Sequence, residues 1–308
     1  MSATAPGKKK SGPPAESLAP DWETSGFAIT PELFAKFQRL IHQESGIWLG
    51  EAKVPLLCGR LSRRLRALGI PTLEGYYKLV VQPEHSEERV SMIDAITTNE
   101  TRFFREPRQF EFLERRTIPR WRADAEQGLR SKTIRLWSAG CSSGEEPYSL
   151  AMLLARHLSA EQGWNVSILA TDISSRVLER ARAGIYSVSK SVDIPGPLLK
   201  DHMLKGIGAQ EGQMKVMPEI QNLVDFRRLN LMLDPYPGEA CFHAIFCRNV
   251  LIYFDLESKN KVVERLIRAL HPSGLLFLGQ AENLSGMRSE LRAVAPSVYA
   301  RTGEESGF

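Results

Sequence analysis

The sequence predicts an α/β protein in which a doubly wound parallel sheet follows a small helical domain. From Thr133 onward, short apolar runs alternate with amphipathic helices, a pattern typical of parallel strands joined by helical crossovers. Before that point, apolar residues recur only at helical spacing. The length of 308 residues, 43% of them hydrophobic, allows two domains that each bury a core.

Composition and charge exclude several classes of protein. The 40 lysines and arginines against 36 acidic residues leave a net charge of +4, too small for a general nucleic-acid binder. The longest apolar runs, such as Leu275–Leu278, are far shorter than the ~20 residues of a membrane helix, and no signal-like stretch opens the chain. The four cysteines lack C-x-x-C spacing, so we expect reduced thiols, no metal site and a soluble cytoplasmic protein.

Changes in composition along the chain suggest its domain boundaries. Residues 1–24 are rich in Lys, Pro and Ser and indicate a disordered tail. The glycine-bearing stretch 185–229 is too long for a plain connection, so we expect a small inserted β subdomain there. The other predicted segments are a helical docking domain (25–100), a connecting helix (101–125), an α/β cofactor domain (126–302) and a short tail (303–308).

Helix signals define the N-terminal domain. Thr30-Pro31-Glu32 offers a cap, a proline in the first turn and an early carboxylate, and Gly46 marks the end of that helix. A second helix follows Pro55, with its apolar stripe on Leu57, Leu61, Leu65 and Leu68. Further helices are predicted over Thr72–Val81, Ser86–Thr97 and Arg108–Ala125.

The second helix also carries a basic face. At about 100° per residue, four arginines fall beside or opposite the leucine stripe: Arg60, Arg63, Arg64 and Arg66. Such a face suits docking onto an acidic helical surface, and the alternative is a face that is simply solvated.

Apolar runs and helical patterns define the α/β domain. The predicted strands are Ile134–Ser138, Val166–Thr171, Phe242–Cys247 and Leu275–Gly279, and the predicted helices are Pro147–Leu158, Ser175–Ala183 and Leu256–Leu270. Ligands of open parallel sheets bind beyond the carboxyl ends of the strands. The residues that follow each strand are therefore the candidate site.

A glycine-bearing turn follows the first strand. Gly140 and Gly144 are spaced G-x-x-x-G, and Glu145 and Glu146 come directly after them. These carboxylates would repel a diphosphate at the helix start, which disfavours NAD and an oxidoreductase. They suit the cationic groups of S-adenosylmethionine. The alternative is a turn in which both acids only stabilise the start of a helix.

An acidic residue ends the second strand. Asp172 lies where the second strand of such sheets offers a carboxylate to ribose hydroxyls. Its alternative role is to cap the helix that starts after Ser174. Together with the glycine turn, Asp172 favours a ribose-bearing cofactor.

Several motifs resemble those of one family. Thr97–Glu106 (TTNETRFFRE) is similar to the signature of the CheR family, the bacterial chemoreceptor glutamate O-methyltransferases. The resemblance covers about Ile29–Arg301 and implies a Rossmann-like class I methyltransferase sheet. The motif Gly279–Asn283 (GQAEN) departs from the family pattern, so no role is expected for Gln280. The other matching stretches, in the family's order, are Ala139–Ser149, Ala170–Ser174, Arg228–Leu231 and Cys247–Asp255.

The resemblance implies contacts with S-adenosylmethionine, whose product is S-adenosylhomocysteine. Arg105 suits the methionine carboxylate of the cofactor, Asp172 the ribose and Asn230 the adenine edge. Phe103 and Phe104 are more typical of a core. The implied cofactor residues are Asn99, Thr101, Arg105, Glu145, Asp172, Asn230, Leu231, Asn249 and Val250.

The family's acceptor is a glutamate side chain, which is ionised at neutral pH and needs no general base. Arg248 and Tyr253 follow a predicted strand and are candidate catalytic residues that hold this acceptor. The alternatives are a capping role for Arg248 and a core position for Tyr253. Asn249-Val250-Leu251-Ile252 lacks the two prolines found at this point in nucleic-acid amino-methyltransferases.

The resemblance also implies partners. Chemoreceptor cytoplasmic helices are expected on the arginine face, and a receptor C-terminal peptide on an exposed strand edge of the inserted subdomain. We expect a monomer. The alternative function is a cofactor-binding scaffold on the same fold without turnover.

Overall fold

The computed structural model describes residues 29–284 and 290–302, and its N-terminal part is a helical bundle. The predicted tails, 1–24 and 303–308, lie outside the described residues. Thr30 caps the first helix by accepting from the Leu33 N–H, and Gly46 ends it in a left-handed conformation (φ 75°). The helices are α1 (Pro31–Ser45), α2 (Val54–Leu68), α3 (Leu73–Val80) and α4 (Ser86–Ile96), with 3₁₀ turns at Glu51–Lys53 and Pro83–His85.

An apolar core holds the bundle together. Leu57, Leu61 and Leu65 of the predicted stripe are fully buried against Phe37 of α1. Leu68 is the last residue of α2 and is 43% exposed. The buried stripe therefore ends one turn earlier than the sequence predicts.

The connecting segment is helical but irregular. It consists of α5 (Pro107–Phe112) and α6 (Ile118–Glu126), joined by a π-helical turn at Leu113–Thr117. The predicted helix over Arg108–Ala125 is confirmed in extent and corrected in geometry. Its buried face packs into the core of the α/β domain.

A mixed sheet forms the centre of the second domain. In chain order the described strands are β1 (Thr133–Ala139), β2 (Asn165–Asp172), β3 (Ile185–Ser187), β4 (Met203–Lys205), β5 (Gln213–Val216), β6 (Val224–Arg228), β7 (Phe242–Cys247), β8 (Leu270–Leu278), β9 (Leu291–Ala295) and β10 (Val298–Arg301). The central sheet has the order β6-β2-β1-β7-β8-β10-β9. Strands β6, β2, β1, β7 and β8 are parallel, whereas β10 is antiparallel to both neighbours. The predicted doubly wound class is confirmed.

Helices cover both faces of the central sheet. They are α7 (Glu145–His157), α8 (Ser175–Ala183), α9 (Gly196–His202), α10 (Pro218–Gln221) and α11 (Leu256–Ala269). Leu136 and Phe246 pack in the core that contains the buried face of α7, whereas Trp137 and Ile245 pack in the core that contains α11. Neighbouring residues of a strand point to opposite faces, so each strand serves both cores. None of the described helices is long and apolar enough to span a membrane.

The predicted insertion forms a small antiparallel sheet with the order β3-β5-β4. The prediction placed Val224–Arg228 inside this insertion, but these residues return to the central sheet as β6, paired with β2. Strands β6, β9 and β10 were not predicted, because they are short and partly exposed and lack an apolar run as long as those of the buried strands.

Candidate cofactor and active site

A cavity of about 340 Å³ lies where the carboxyl ends of β1, β2 and β7 meet the helical bundle. This is the sheet edge at which open α/β folds bind ligands. The segment Thr97–Thr101 between the two domains also lines it. All the predicted cofactor residues except Glu145 line the cavity, and so do Arg248 and Tyr253. The fold thus brings together motifs that are far apart in the sequence.

Gly140 allows the turn after β1 to pack closely on the loop after β7. Its φ of 83° is left-handed, and a Cβ at this position would stand 2.3 Å from Cγ2 of Val250. The N–H groups of Gly140 and Cys141 both donate to the Thr171 carbonyl, at 2.8 and 2.9 Å. The turn is therefore fixed to the end of β2, where Asp172 follows.

The Asp172 carboxylate accepts two backbone hydrogen bonds. Oδ2 accepts from the Ser142 N–H at 2.8 Å, and Oδ1 accepts from the Ser174 N–H at 2.9 Å. The residue is 8% exposed, and burial raises its pKa above the ordinary value. Ser174 itself caps α8 through its side chain. Asp172 is therefore not needed as that cap, and its remaining lone pairs can accept from ligand hydroxyls.

Arg248 lies in the wall of the cavity with its charge balanced by the protein. Its guanidinium is 3.5 Å from Glu106 Oε2 and 3.4 Å from Glu146 Oε2, and it donates to the Arg105 carbonyl. It also lies 5.6 Å from the centre of the Phe110 ring. Its Nε and Nη1 atoms are buried without a hydrogen-bond partner among the described residues.

The two glutamates after the glycine turn point to different places. Glu145 is fully buried, forms an ion pair with Lys190 of the inserted subdomain and accepts from the Ser143 hydroxyl at 2.7 Å. The structure does not bring Glu145 to the cavity. Glu146 lines the cavity instead and accepts from the Ser138 hydroxyl at 2.7 Å. Burial raises the pKa of Glu146, although Arg248 opposes that shift.

Asn230 joins the cavity wall to the helical bundle. Its side-chain amide donates to the Glu44 carbonyl at 2.6 Å, and its Oδ1 accepts from the Met232 N–H at 2.9 Å. Its own N–H donates to Asp234 at 2.7 Å. The Asn230 side-chain amide, which suits the adenine edge, therefore also makes a hydrogen bond between the two domains. Leu231 beside it is buried and offers an apolar surface.

Sequence analysis did not identify Glu282, which organises the loop after β7. Its carboxylate accepts from the N–H groups of Asn249 (2.8 Å), Ile252 (3.2 Å) and Gly279 (2.6 Å), and the residue is 5% exposed. Asn249 itself has a left-handed backbone (φ 58°). The available signal was an acid just after a buried strand that ends at the ligand edge.

The segment before α5 forms another wall. Asn99 accepts from the Ser142 hydroxyl through its carbonyl, at 2.9 Å, and Arg105 donates to the Glu100 carbonyl at 3.2 Å. Arg105 lies between Phe104 (φ 48°) and Glu106 (φ 59°), both left-handed. Residues held in this region often position a functional neighbour. Phe103 and Phe104 are buried, so their predicted place in the core is confirmed.

The helical bundle contributes a wall that the sequence did not predict. Trp48, Leu49 and Lys53, which lie between α1 and α2, line the cavity opposite the strand ends. The Trp48 N–H donates to the Tyr253 carbonyl at 2.8 Å, and Ile47 forms a β-bridge with Phe254. The cavity therefore needs both domains.

Two parts of the chain match one protein family. Residues 32–97 match the family described as "CheR methyltransferase, all-alpha domain", and residues 99–300 match "CheR methyltransferase, SAM binding domain". The chain belongs to the CheR methyltransferase family. The family resemblance and the fold class that the sequence predicts are confirmed, and so is the prediction of a methyltransferase.

Relatives of this family align over most of the chain. The "Chemotaxis protein methyltransferase" of Escherichia coli (strain K12) is 39% identical over 278 residues, which cover 90% of this chain and 93% of that protein. "Chemotaxis protein methyltransferase 2" of Pseudomonas aeruginosa is 36% identical over 289 residues, 93% of this chain and 99% of that protein. The Borreliella burgdorferi "Chemotaxis protein methyltransferase" is 35% identical over 276 residues, 89% of this chain and 95% of that protein.

The basic face of the CheR all-alpha domain is smaller than the sequence predicts. Arg60 donates to the Thr97 carbonyl at 2.9 Å and to the Thr98 hydroxyl at 3.0 Å, and burial lowers its pKa. Arg64 pairs with Glu88, with 3.0 Å between Nε and Oε1. These two arginines therefore serve internal contacts. The other two, Arg63 and Arg66, are exposed.

Proposed function

We propose that this CheR-family chain transfers the methyl group of S-adenosylmethionine to glutamate side chains of chemoreceptor cytoplasmic helices. The products are glutamate methyl esters and S-adenosylhomocysteine, and the role is adaptation in chemotaxis. The observation that carries the proposal is that the signature residues Asn99 and Arg105, Asp172 and Asn249 all line one cavity. In this proposal the protein acts as a monomer in the cytoplasm, where receptor signalling helices are found.

The cavity residues fit the parts of S-adenosylmethionine. Arg105 pairs with the methionine carboxylate, and Asp172 accepts from the ribose hydroxyls. Leu231 and Val250 supply apolar surface for the adenine, and the Asn230 backbone and amide lie at its edge. Asn99, Thr101 and Asn249 complete this set. Glu145 supports these residues without lining the cavity, because its ion pair with Lys190 fixes the start of α7 to the inserted subdomain.

The acceptor carboxylate is the nucleophile. S-adenosylmethionine supplies an electrophilic methyl group on a cationic sulfur. A carboxylate oxygen forms a bond to the methyl carbon as the carbon–sulfur bond breaks, so an anion and a cation become a neutral ester and a neutral thioether. A buried site favours this loss of charge, and alignment of the reacting atoms supplies much of the remaining rate.

Arg248 and Tyr253 remain our candidates for holding the acceptor carboxylate in line. The buried Arg248 guanidinium in the cavity wall supports this role, because its Nε and Nη1 atoms make no hydrogen bond within the described residues and such donors favour an anionic partner. Glu106 and Glu146 moderate the Arg248 charge, so that it can orient the nucleophile without neutralising it. Tyr253 is held through its backbone and lines the cavity beside the loop after β7.

Receptor docking is assigned to the exposed part of the basic face. Arg63→Glu combined with Arg66→Glu should weaken receptor methylation and leave S-adenosylhomocysteine binding unchanged. The inserted subdomain offers the free edge of β4 to an extended receptor C-terminal peptide. Arg60 and Arg64 support the fold of the docking domain.

The experiment is methyl transfer from radiolabelled S-adenosylmethionine to a chemoreceptor cytoplasmic fragment. A matched fragment whose methylation-site glutamates are replaced by alanine is the control. Label that requires those glutamates and is released by base as methanol supports the proposal. Tight cofactor binding without transfer to any fragment would favour a cofactor-binding scaffold on the same fold.

A further inference from the structure

Within the described part of the chain, three cations line the cavity, and they are used in different ways. Arg248 lies between Glu106 and Glu146, so the protein balances its charge. Arg105 donates to a backbone carbonyl and is assigned above to the carboxylate of the cofactor. Lys53 is exposed, and its ammonium group has no ion-pair or hydrogen-bond partner within residues 29–284 and 290–302. A carboxylate that enters the cavity beside Arg248 therefore finds Lys53 available as a further counter-ion.

Trp48 stands in the same wall in a fixed position. Its backbone N–H donates to the Tyr253 carbonyl, and its indole packs edge-on against the His42 ring, with 5.6 Å between the ring centroids. Gln38 donates to the carbonyl of the next residue, Leu49, at 2.5 Å. At the start of the loop, Gly46 packs so closely on Met232 that a Cβ would stand 2.3 Å from its Cγ. The loop is thus anchored on both domains.

The anchored tryptophan is nevertheless open to solvent. Trp48 is 50% exposed, and Ile252, which lines the same cavity, is 44% exposed. Leu256, a few residues farther along the chain, is 61% exposed. Large apolar side chains held rigidly at a surface are typical of positions that a partner covers. Because Trp48 and Ile252 line the cavity, the partner that covers them is the one that delivers the acceptor.

We propose that residues 46–53 form an acceptor-recognition loop, in which Lys53 pairs with the incoming carboxylate and Trp48 packs with Ile252 on apolar side chains beside it. This inference rests on the proposed function and states how that site binds its acceptor. Residues three or four positions from a glutamate lie on the same face of a helix. An apolar residue one turn away can therefore contact Trp48 while the glutamate enters the cavity. Lys53 is a positioning residue and takes no part in bond making.

The test compares acceptor kinetics with cofactor binding. The probe is the cytoplasmic fragment of an Escherichia coli chemoreceptor, methylated with tritiated S-adenosylmethionine. Trp48→Ala should raise the KM for the fragment about tenfold, whereas Trp48→Phe should restore most of the loss. Lys53→Gln should raise KM about fivefold and weaken its dependence on salt, whereas Lys53→Arg should retain both values. Calorimetry should show unchanged affinity for S-adenosylhomocysteine in all four variants.

Matched controls lie outside the cavity lining. Lys36→Gln removes an exposed lysine of α1, and Leu129→Ala removes an apolar side chain that is 72% exposed. Both should behave as the parent chain does. Unchanged KM in Trp48→Ala and Lys53→Gln would overturn the assignment of the loop while methyl transfer by the parent chain stands. A parallel loss of S-adenosylhomocysteine affinity would also overturn it. Absence of transfer by the parent chain would overturn the proposed function itself.

Discussion

The two sides of the cavity differ in how their polar and apolar groups are used. On the sheet side, the carboxylates of Asp172 and Glu282 are bonded to backbone N–H groups, and Arg248 lies between two acids. On the bundle side, Lys53 has no partner in the described chain, and Trp48 is half exposed. The sheet side is therefore preorganised before a ligand arrives, as catalytic sites require. The bundle side leaves its interactions to a partner.

The largest loss of stability is expected when Glu282, on the sheet side of the cavity, is replaced. Glu282→Ala leaves three N–H groups without their acceptor, and each unsatisfied buried donor costs about 1–3 kcal/mol. We therefore expect a loss of about 3–9 kcal/mol in the free energy of unfolding, measured with urea, and a value near the lower limit because the bonds to Asn249 and Ile252 are only partly buried. Glu282→Gln keeps one acceptor oxygen and should lose less. In that variant, S-adenosylhomocysteine affinity should fall, because the Asn249 loop is no longer fixed.

Glu257→Gln is the control for Glu282. Glu257 is an exposed residue of α11 that forms a surface ion pair with Lys261. Its replacement should leave both stability and affinity unchanged. Equal behaviour of the Glu282 and Glu257 variants would contradict the view that the sheet side is held by buried carboxylates.

The next effect tests close packing at Gly140. Gly140→Ala incurs about 1–2 kcal/mol for a left-handed alanine, and the contact with Val250 adds about 1–3 kcal/mol. Gly128→Ala is the matched variant, because Gly128 has φ 73° and no atom within 4 Å of a Cβ. It should show only the backbone cost. Denaturant unfolding and calorimetry with S-adenosylhomocysteine measure both variants.

A second substitution separates the two costs at Gly140. Adding Val250→Ala removes the atom that the new Cβ would meet, 2.3 Å away in the parent chain. Gly140→Ala should then become similar to Gly128→Ala in stability. No recovery in the double variant would mean that the backbone conformation alone requires glycine.

The sequence predicted the sheet side of the site far better than the bundle side. Asp172 and Asn249 lie at or just after the ends of apolar strands, so the edge that they occupy could be inferred from the strand pattern. Glu145 and Glu146 could not be told apart, because adjacent residues at a helix start differ by about 100° in direction. Only the folded structure shows that the Glu145 side chain pairs with Lys190 and the Glu146 side chain with Arg248.

The bundle side depends on how two domains pack. Trp48 and Lys53 reach the cavity because Ile47 pairs with Phe254 and because Asn230 bonds to the end of α1. No local pattern carries such long-range contacts. The same limit applies to the arginine face: helical periodicity placed Arg60 on the surface, but only the fold shows its contacts with the segment after α4.

A smaller effect is expected from loosening the domain contact at Asn230. Asn230→Ala removes the hydrogen bonds to the Glu44 carbonyl and from the Met232 N–H, which together are worth about 1–2 kcal/mol. Hydrogen exchange should then accelerate at the end of α1, and affinity for S-adenosylhomocysteine should fall. The exposed Asn222→Ala is the control. Unchanged exchange at α1 would show that Asn230 does not couple the two sides.

The smallest effect is expected from His243, which influences the pH dependence of stability but lies away from the cavity. Burial, together with the neighbouring charges of Arg130, His271 and Arg135, lowers the pKa of His243 to about 4. Between pH 4 and pH 6.5 the unfolded chain therefore binds more protons at His243 than the folded chain does. The contribution of neutral His243 to the free energy of unfolding is fully present above pH 6.5 and is lost as the pH falls towards 4. His243→Gln should reduce the loss between pH 7 and pH 5 by about 1 kcal/mol, after allowance for solvent screening.

His243 lies in β7 but does not line the cavity, so affinity for S-adenosylhomocysteine at pH 7 should be the same in His243→Gln and the parent chain. Urea unfolding at both pH values, with calorimetry at pH 7, makes the comparison. If affinity fell together with stability, the sheet side would not be an independent preorganised unit. It would instead depend on the packing of the whole sheet, and the contrast with the exposed bundle side would have to be redrawn.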